Sequence, residues 1–271
     1  MKSVRKALTI AGSDSGAGAG IQADLKTFAA LGVYGTSAIT AITAQNTVGV
    51  TRVQALHPEL VAAQIDAIVD DIGADALKTG MLANAAIIHT VAQRIREHRL
   101  ENVVVDPVMV ATSGDLLIKK GAVAALRSKL IPLATVVTPN LPEAEELAGR
   151  PLRTWDEIEQ AARHINAMGA RAVVIKGGHR QGPAVDLFFD GKRMHALSAP
   201  RVRTRNTHGT GCTFSAAIAA YLARGESLED AVRAAKKYIT AALRASFKVG
   251  GGHSPVHHFY GFWKGRIAQG K

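Results

Sequence analysis

Residues 7–31 read ALTIAGSDSGAGAGIQADLKTFAAL, a stretch typical of a strand, a glycine-rich turn and a helix in direct succession. The apolar run at 7–11 predicts a buried strand that ends at a glycine, and residues 21–31 have the apolar spacing of a helix. A strand followed by a helix is the repeating unit of a parallel sheet, because a crossover must carry the chain back before the next strand begins.

The same alternation continues along the chain. Further strands are predicted at 37–43, 75–79, 103–106, 135–138 and 172–176, and further helices at 58–71, 85–98, 155–168, 212–223 and 228–247. Asp190-Gly191 lies between short apolar runs and indicates a β-hairpin. We therefore expect an α/β fold with a mostly parallel central sheet, covered on both faces, and an antiparallel hairpin at one edge. Because no linker or repeat interrupts the chain, residues 1–271 are expected to form one domain.

The composition narrows the class of partner. Lys and Arg number 33 against 22 Asp and Glu, which gives a net charge of +11. This charge is either spread over the surface of a soluble basic protein or attracts acidic ligands such as nucleotide phosphates. A nucleic-acid partner is not expected, because the basic residues are scattered and aromatics make up 5% of the chain. A single cysteine, and apolar runs too short to cross a bilayer, favour a cytoplasmic protein without a membrane partner.

Glycine-rich and polar residues follow the predicted strands, where ligands bind in open parallel sheets. The first such segment, Gly12 to Gly20, resembles a dinucleotide-binding loop, but the spacing G-x-G-x-x-G from Gly16 would need glycine at Ile21. Nor does the chain contain the sequence G-x-x-x-x-G-K-[ST] of a phosphate loop. The segment is either a flexible turn or a loop whose bare backbone approaches a ligand.

The second segment, NTHGTGCT at 206–213, leads into a predicted helix. Gly209, Thr210 and Gly211 would let several amides face one point beside a helix N-terminus, which suits a phosphoryl group. Cys212 would lie at the mouth of that site, where the helix N-terminus is expected to lower the thiol pKa so that a thiolate accepts a proton from a substrate hydroxyl. The alternative is that Cys212 is a small buried apolar residue.

Three charged residues follow separate strands. Asp106 and Glu143 could bind Mg²⁺, which takes one or two carboxylates together with phosphate oxygens and water. Glu143 could equally complement the N-terminus of a helix. Lys176 would place a cation among phosphates, or else cap the end of an edge strand.

Several segments, taken in order, resemble one known family. They are AGSDSGAGAGIQADLKTF at 11–28, TAQNTVG at 43–49, KTGML at 78–82, TPNLPE at 138–143, KGGH at 176–179, NTHGTGCT at 206–213 and PVHHF at 255–259. The chain is similar over nearly its whole length to the hydroxymethylpyrimidine kinase/hydroxymethylpyrimidine-phosphate kinases of thiamin biosynthesis.

This resemblance implies a ribokinase-like three-layer α/β/α sandwich, with ATP as phosphoryl donor and Mg²⁺ as cofactor. It implies two successive phosphorylations of 4-amino-5-hydroxymethyl-2-methylpyrimidine, first to the monophosphate and then to the diphosphate. A homodimer is also implied. Some relatives phosphorylate pyridoxine or pyridoxal, so a pyridoxal kinase of the same fold is the alternative.

The resemblance also assigns roles to residues. Gln45 would pair with a ring nitrogen and the amino group of the pyrimidine, as an amide can. Gly12 would add a backbone hydrogen bond, Met81 and Val108 would form apolar walls, and Asp24 would face the substrate hydroxyl or first phosphate. The remaining assignments are Cys212 as the base, the backbone of Gly209, Thr210 and Gly211 as the anion hole, Lys176 as a phosphate contact, and Asp106 and Glu143 near magnesium.

One departure concerns the first glycine loop. The family has Ser-Gly-Gly-Ala-Gly there, whereas this chain has Gly16-Ala17-Gly18-Ala19-Gly20 after Ser15. The change affects the contacts expected of the loop and leaves the reaction class unchanged. A hypothesis from a different class is a non-catalytic nucleotide-binding or nucleic-acid-binding protein, which salt-sensitive DNA binding without ATP turnover would indicate.

Overall fold

A computed structural model describes residues 4–109, 121–178 and 183–263. Its nine strands are β1 (Lys6–Asp14), β2 (Tyr34–Gln45), β3 (Val50–Ala55), β4 (Ala76–Thr79), β5 (Val103–Val105), β6 (Val136–Val137), β7 (Val173–Ile175), β8 (Ala184–Phe189) and β9 (Met194–Ala199). They form a single sheet in the order β3-β2-β1-β4-β5-β6-β7-β8-β9. The strands from β2 to β7 in this order pair in parallel, and β8 and β9 form the antiparallel hairpin that Asp190-Gly191 predicted.

The helices are α1 (Gly20–Ala30), α2 (Pro58–Asp71), α3 (Ala85–Glu97), α4 (Ala122–Ala125), α5 (Leu141–Ala148), α6 (Trp155–Ala167), α7 (Thr210–Ala223) and α8 (Leu228–Arg244). A π-helical turn at Leu126–Leu130 and a 3₁₀ turn at Ile131–Leu133 extend α4. Together with the sheet, these helices give the three-layer α/β/α architecture, so the predicted fold class is confirmed.

The two helical layers follow from the alternation of side chains along each strand. In β1, Leu8 and Ile10 belong to the core beneath α2, α3, α5 and α6, whereas Ala7 belongs to the core beneath α1, α7 and α8. Helix α7 is nearly all buried, and its many alanines allow it to pack closely on the sheet. Its N-terminus therefore reaches the carboxyl ends of the central strands.

Three parts of the fold were not predicted from the sequence, and one of them is α4 with the two turns that extend it to Leu133. Strand β3 pairs antiparallel with β2 at the other edge of the sheet, but its side chains are mostly exposed, and so its sequence lacks a buried apolar run. Helix α5 has only eight residues and begins with a proline within its first turn. Such a short segment carries little helical periodicity.

Helix α8 also ends at Arg244, earlier than the predicted residue 247. In the parts of the chain that the structure describes, none of the helices combines the length and the apolarity needed to cross a membrane.

Candidate active site

The loop between β1 and α1 is organised by Asp14. Its Oδ1 accepts a hydrogen bond from the Gly16 amide at 2.8 Å, and its Oδ2 accepts from the Gly18 and Ala19 amides at 3.1 and 2.9 Å. Burial pushes the pKa of Asp14 upward, but the His208 ring and these amides outweigh it and hold the pKa below its ordinary value. The loop is therefore wrapped around a carboxylate.

The two glycine-containing loops are in direct contact. His208 Nε2 lies 2.8 Å from Asp14 Oδ2, and both side chains are almost fully buried. Gly209 adopts a φ of +71°, and a Cβ there would collide with the Gly18 carbonyl oxygen. Glycine is required at position 209 by both its backbone conformation and this close approach.

Cys212 lies in the first turn of α7 and is partly exposed. Burial among protein groups raises the pKa of its thiol to about 11, and the carboxylates of Asp24 and Asp106 add to the effect of burial against the nearby ammonium of Lys78. The prediction that the helix N-terminus leaves a lowered thiol pKa is therefore wrong. At neutral pH the sulfur therefore carries its proton.

Lys176 and Asp106 form an ion pair beside Cys212. Lys176 Nζ lies 2.9 Å from Asp106 Oδ1, and a Cβ on Gly211 would be 3.1 Å from the same Nζ. Asp106 also accepts hydrogen bonds from Thr138 and Ser215 at 3.2 and 3.1 Å. The structure thus places an ammonium group next to the turn that the sequence singled out as an anion hole.

Burial opposes the charge of each partner, but the attraction between them prevails. The pKa of Lys176 lies above its ordinary value because of Asp106 and Glu143, and the pKa of Asp106 lies below its own because of Lys176 and Lys78. Both groups are ionic at neutral pH. An ionic pair at this position can balance the charge of a phosphoryl group.

Glu143 has a structural role that the sequence left open. Its Oε2 accepts from the Asn140 amide at 2.8 Å while Asn140 Oδ1 accepts from the Glu143 amide at 2.9 Å, so the two residues form a capping box at the start of α5. Burial raises the pKa of Glu143 to about 7, and the Asp106 carboxylate adds to the rise against the ammonium of Lys176. Glu143 therefore helps to begin a helix and also lies within electrostatic reach of the Lys176 pair.

Gly12, near the carboxyl end of β1, lies against the side chain of Met81. A Cβ on Gly12 would be 2.7 Å from Met81 Cε, so the methionine methyl group packs directly on the glycine backbone. Val108 packs against the same apolar core as Met81. Gln45 is held through its backbone, since its amide donates to Ser15 Oγ at 2.8 Å and its carbonyl accepts from that hydroxyl at 2.6 Å.

Asp24 is placed differently from its predicted role. Its carboxylate is fully buried in an ion pair with Lys78, whose Nζ lies 2.9 and 3.0 Å from the two oxygens, and Thr9 donates to it at 2.6 Å. With 0% exposure it does not present an oxygen to a ligand from this position. We assign it to the layer beneath Cys212, whose pKa both members of the pair influence.

Lys78 and His208 were missed as site residues, although KTGML and NTHGTGCT contain them. A lysine inside a strand and a histidine before a glycine carry no local signal of a buried partner, and only the fold brings those partners close.

The segment that contains the PVHHF motif contacts helix α7, the His208 loop and the turn after β2. His258 Nε2 lies 3.0 Å from Thr213 Oγ1, the His208 amide donates to the Ser254 carbonyl at 3.1 Å, and the His253 amide donates to the Thr47 carbonyl at 2.7 Å. In the KGGH motif, His179 lies outside the described residues.

A groove of about 280 Å³ lies between the end of β9 and helix α8. It is lined by residues at the end of β9 and along α8, including Pro200, Lys236 and Thr240. Asp186 links the groove to the β7 end, because it accepts from Lys236 Nζ at 2.7 Å and from the Gly177 amide at 2.9 Å. Asp186 therefore connects one wall of the groove to the residue that follows Lys176.

Comparison with known proteins supports a common origin. A family model described as phosphomethylpyrimidine kinase matches residues 14–257. A hydroxymethylpyrimidine/phosphomethylpyrimidine kinase of Rhizobium meliloti is 56% identical, covering 95% of this chain and 98% of that protein, and one of Escherichia coli is 49% identical with the same coverage. The bifunctional protein ThiED of Geobacter sulfurreducens is 53% identical over 93% of this chain, which spans about half of that longer protein.

Solved structures agree with the fold. An ADP complex of Bacillus subtilis pyridoxal kinase superposes with a TM-score of 0.88 at 46% identity, covering 94% of this chain and 98% of that one. A Staphylococcus aureus pyridoxal kinase in complex with AMP-PCP and pyridoxal gives 0.88 at 39% identity, covering 96% and 95%. A reconstructed last common ancestor of two groups of vitamin kinases gives 0.73 at 53% identity, covering 88% and 99%.

Proposed function

Because the chain belongs to the phosphomethylpyrimidine kinase family, we propose that it transfers the terminal phosphoryl group of ATP to 4-amino-5-hydroxymethyl-2-methylpyrimidine and then to the resulting monophosphate, in thiamin biosynthesis. The observation that supports this best is the convergence of Cys212, the turn Gly209–Gly211 and the Lys176–Asp106 pair at the carboxyl ends of the central strands. We further propose that residues 1–271 form one kinase domain, since all described strands share one sheet.

The pyrimidine alcohol is proposed to lie against Gly12, Met81 and Val108, with its polar edge toward Gln45. Its hydroxymethyl oxygen would then point to Cys212, which takes up the hydroxyl proton. The sulfur can do this only after losing its own proton, because burial raises the pKa of the thiol to about 11. Asp24 acts from beneath, by holding Lys78 near the thiol.

The nucleotide is proposed to place its phosphates between Lys176 and the backbone amides of Gly209, Thr210 and Gly211. Phosphoryl transfer is governed mainly by positioning and charge stabilisation, and backbone amides at a helix N-terminus supply both. The groove beside Lys236 and Thr240 is the proposed binding site of the nucleoside. Filling it with Thr240→Trp is expected to raise the KM for ATP and to leave the KM for the alcohol unchanged.

The chemistry of the site is compatible with Mg²⁺. Asp106 and Glu143 offer oxygen donors, and Mg²⁺ is held by one or two carboxylates together with phosphate oxygens and water. Within the described part of the chain no cluster of three or more His, Cys, Asp or Glu residues forms a complete protein cage, which agrees with a metal that depends on the nucleotide. When bound, the ion would neutralise charge on the phosphates, and Asp106 and Glu143 would hold it directly or through water.

The test is an ATP-coupled assay with the aminopyrimidine alcohol that resolves monophosphate from diphosphate. We expect both products in sequence. Pyridoxine and pyridoxal are assayed in parallel, because pyridoxal kinases are among the similar solved structures. A higher kcat/KM for a pyridine alcohol than for the aminopyrimidine would overturn the proposed substrate, and formation of the monophosphate alone would overturn the second step.

The protein is proposed to work as a homodimer in the cytoplasm, as its single cysteine fits a reducing compartment. Among the described residues, β3 is the last strand at one edge of the sheet, and Ile42, Val48 and Val53 near that edge are 51%, 71% and 46% exposed. Light scattering is expected to give a dimer and Val53→Lys a monomer, with Tyr34→Lys, at the opposite end of β2, as the control. A monomeric wild type would refute the dimer.

A further inference from the structure

Gln45, Thr43, His208 and Asp14 form a continuous polar contact between the two glycine-containing loops. One terminal atom of the Gln45 amide lies 3.1 Å from Thr43 Oγ1, and the other lies 3.5 Å from His208 Nε2. His208 Nε2 lies 2.8 Å from Asp14 Oδ2. The two ends of a side-chain amide have nearly the same shape, so hydrogen-bonding neighbours decide which end is oxygen and which is nitrogen.

The His208 side of the amide is decided by Asp14. Asp14 already accepts hydrogen bonds from three backbone amides, as a carboxylate does. A carboxylate can only accept, so the imidazole nitrogen 2.8 Å away must carry the hydrogen. An N–H of Gln45 directed at this nitrogen would therefore meet another donor. The amide atom that faces His208 favourably is the oxygen.

The Thr43 side gives the same answer independently. Thr43 Oγ1 lies 2.9 Å from the Ser13 carbonyl oxygen, which has no hydrogen, so Thr43 must donate its single hydroxyl hydrogen there. The Thr43 oxygen then has only lone pairs left to offer Gln45. The amide atom 3.1 Å away must be the nitrogen, which donates to Thr43.

We propose that Asp14 and His208, together with Thr43, lock the Gln45 amide with its oxygen toward His208 and its nitrogen toward Thr43, and that His208 is thereby a specificity-determining positioning residue. This inference rests on the proposed function, in which Gln45 reads the ring of the substrate. It concerns how the amide is oriented, a property that the assignment of Gln45 to the ring does not supply.

The orientation of the Gln45 amide determines the orientation in which an aminopyrimidine ring binds. The amide keeps one oxygen lone pair free on the His208 side and one N–H free on the Thr43 side. The exocyclic amino group of the substrate is therefore expected on the His208 side, and a ring nitrogen on the Thr43 side. A pyridine alcohol offers no amino group in this position, so the lock favours the aminopyrimidine.

The experiment compares His208→Phe, His208→Gln and Thr43→Val with wild type. Phe removes the donor while keeping a ring, Gln keeps an N–H that can serve both Asp14 and Gln45, and Val removes the hydroxyl at nearly constant shape. The control is Thr43→Ser, which retains the hydroxyl. For each protein, kcat and KM are measured for the aminopyrimidine alcohol, pyridoxine and ATP.

His208→Phe and Thr43→Val are each expected to raise the KM for the aminopyrimidine alcohol about 10-fold, as for the loss of one positioned hydrogen bond. The kcat/KM preference over pyridoxine should fall by a similar factor, while the KM for ATP changes less than about 2-fold. His208→Gln and Thr43→Ser should restore most of the preference. If His208→Phe fails to fold, Thr43→Val and Thr43→Ser decide the question alone.

An unchanged preference in the two disruptive variants would overturn the inference. So would an equal loss of kcat for both alcohols that His208→Gln does not rescue, because His208 would then merely support the neighbouring Gly209 turn. These results leave the proposed function intact, provided that wild type phosphorylates the aminopyrimidine. If wild type neither binds nor phosphorylates it, the proposed function and this inference fail together.

Discussion

Replacing Lys78 with methionine is expected to destabilise the protein more than any surface change, because it leaves the buried carboxylate of Asp24 without its counter-ion. Both side chains have 0% exposure, and Nζ contacts both carboxylate oxygens at 2.9–3.0 Å. Burial lowers the pKa of Lys78, but the paired carboxylate holds it above its ordinary value, whereas burial raises the pKa of Asp24 against the attraction of Lys78. The contacts of Nζ with both carboxylate oxygens favour the ionic form of the pair. Removing one member of such a pair costs about 3–5 kcal/mol.

This free energy translates into a clear shift in melting temperature. For a chain of this size 1 kcal/mol corresponds to about 2–4 °C, so Lys78→Met should melt at a temperature about 6–20 °C lower. The double variant Asp24→Asn/Lys78→Met should recover part of the loss, because it removes the stranded charge and keeps an acceptor for Thr9. Arg5→Met is the matched control, since Arg5 pairs with Asp75 at 3.3 Å while 51% exposed and should cost less than about 1 kcal/mol.

Equilibrium unfolding in urea, followed by circular dichroism, measures the three free energies. The reasoning is refuted if Lys78→Met loses no more stability than Arg5→Met, or if the double variant is less stable than Lys78→Met. Activity is a second readout. Because Lys78 opposes the rise in the Cys212 pKa, its loss should raise that pKa further and reduce turnover in the variant that remains folded.

Three further predictions concern the site. Cys212→Ala should keep the KM for ATP within about 2-fold and lower kcat about 10²–10⁴-fold. Because burial raises the pKa of the thiol to about 11, the wild-type kcat should rise with pH between 7 and 9. Wild-type turnover in the variant, or a wild-type kcat that does not change with pH, would contradict this. Ala17→Gly should raise the free energy of unfolding by about 0.5–1 kcal/mol, because the left-handed φ of +59° at Ala17 is strained for a residue with a Cβ. Ala19→Gly should not raise it, because Ala19 has an extended φ of −135°. Equal effects of the two changes in urea unfolding would refute the strain at Ala17. Burial raises the pKa of Glu143 from 4.5 to about 7, so the stability gained from its protonation is fully present below about pH 4.5 and is lost as pH rises through 7. Without Mg²⁺, wild type should therefore lose stability relative to Glu143→Gln between pH 5 and 8. Melting temperatures of the two proteins that change in parallel with pH would contradict this.

Local patterns were sufficient for most of the fold. Buried apolar runs predicted the parallel strands, and Asp190-Gly191 predicted the hairpin, because turn chemistry and periodicity are properties of neighbouring residues. Strand β3 was missed because an exposed edge strand needs no apolar run. It forms by pairing with β2, which precedes it across a turn, and its own residues do not indicate that pairing. The family resemblance was confirmed by the match over residues 14–257.

What the sequence by itself determined was which residues follow the strands, and hence that Gly12, Gln45, Asp106, Lys176 and Cys212 share one end of the sheet. Only the tertiary structure decided what surrounds each of them. The raised pKa of the Cys212 thiol, the burial of Asp24 against Lys78 and the contact of Asp14 with His208, 194 residues away, all depend on distant segments. The physical reason is that the charge state of a group depends on its burial and on every charge and dipole within several ångströms. Neither the burial nor these neighbouring charges can be inferred from the residues next to the group along the chain.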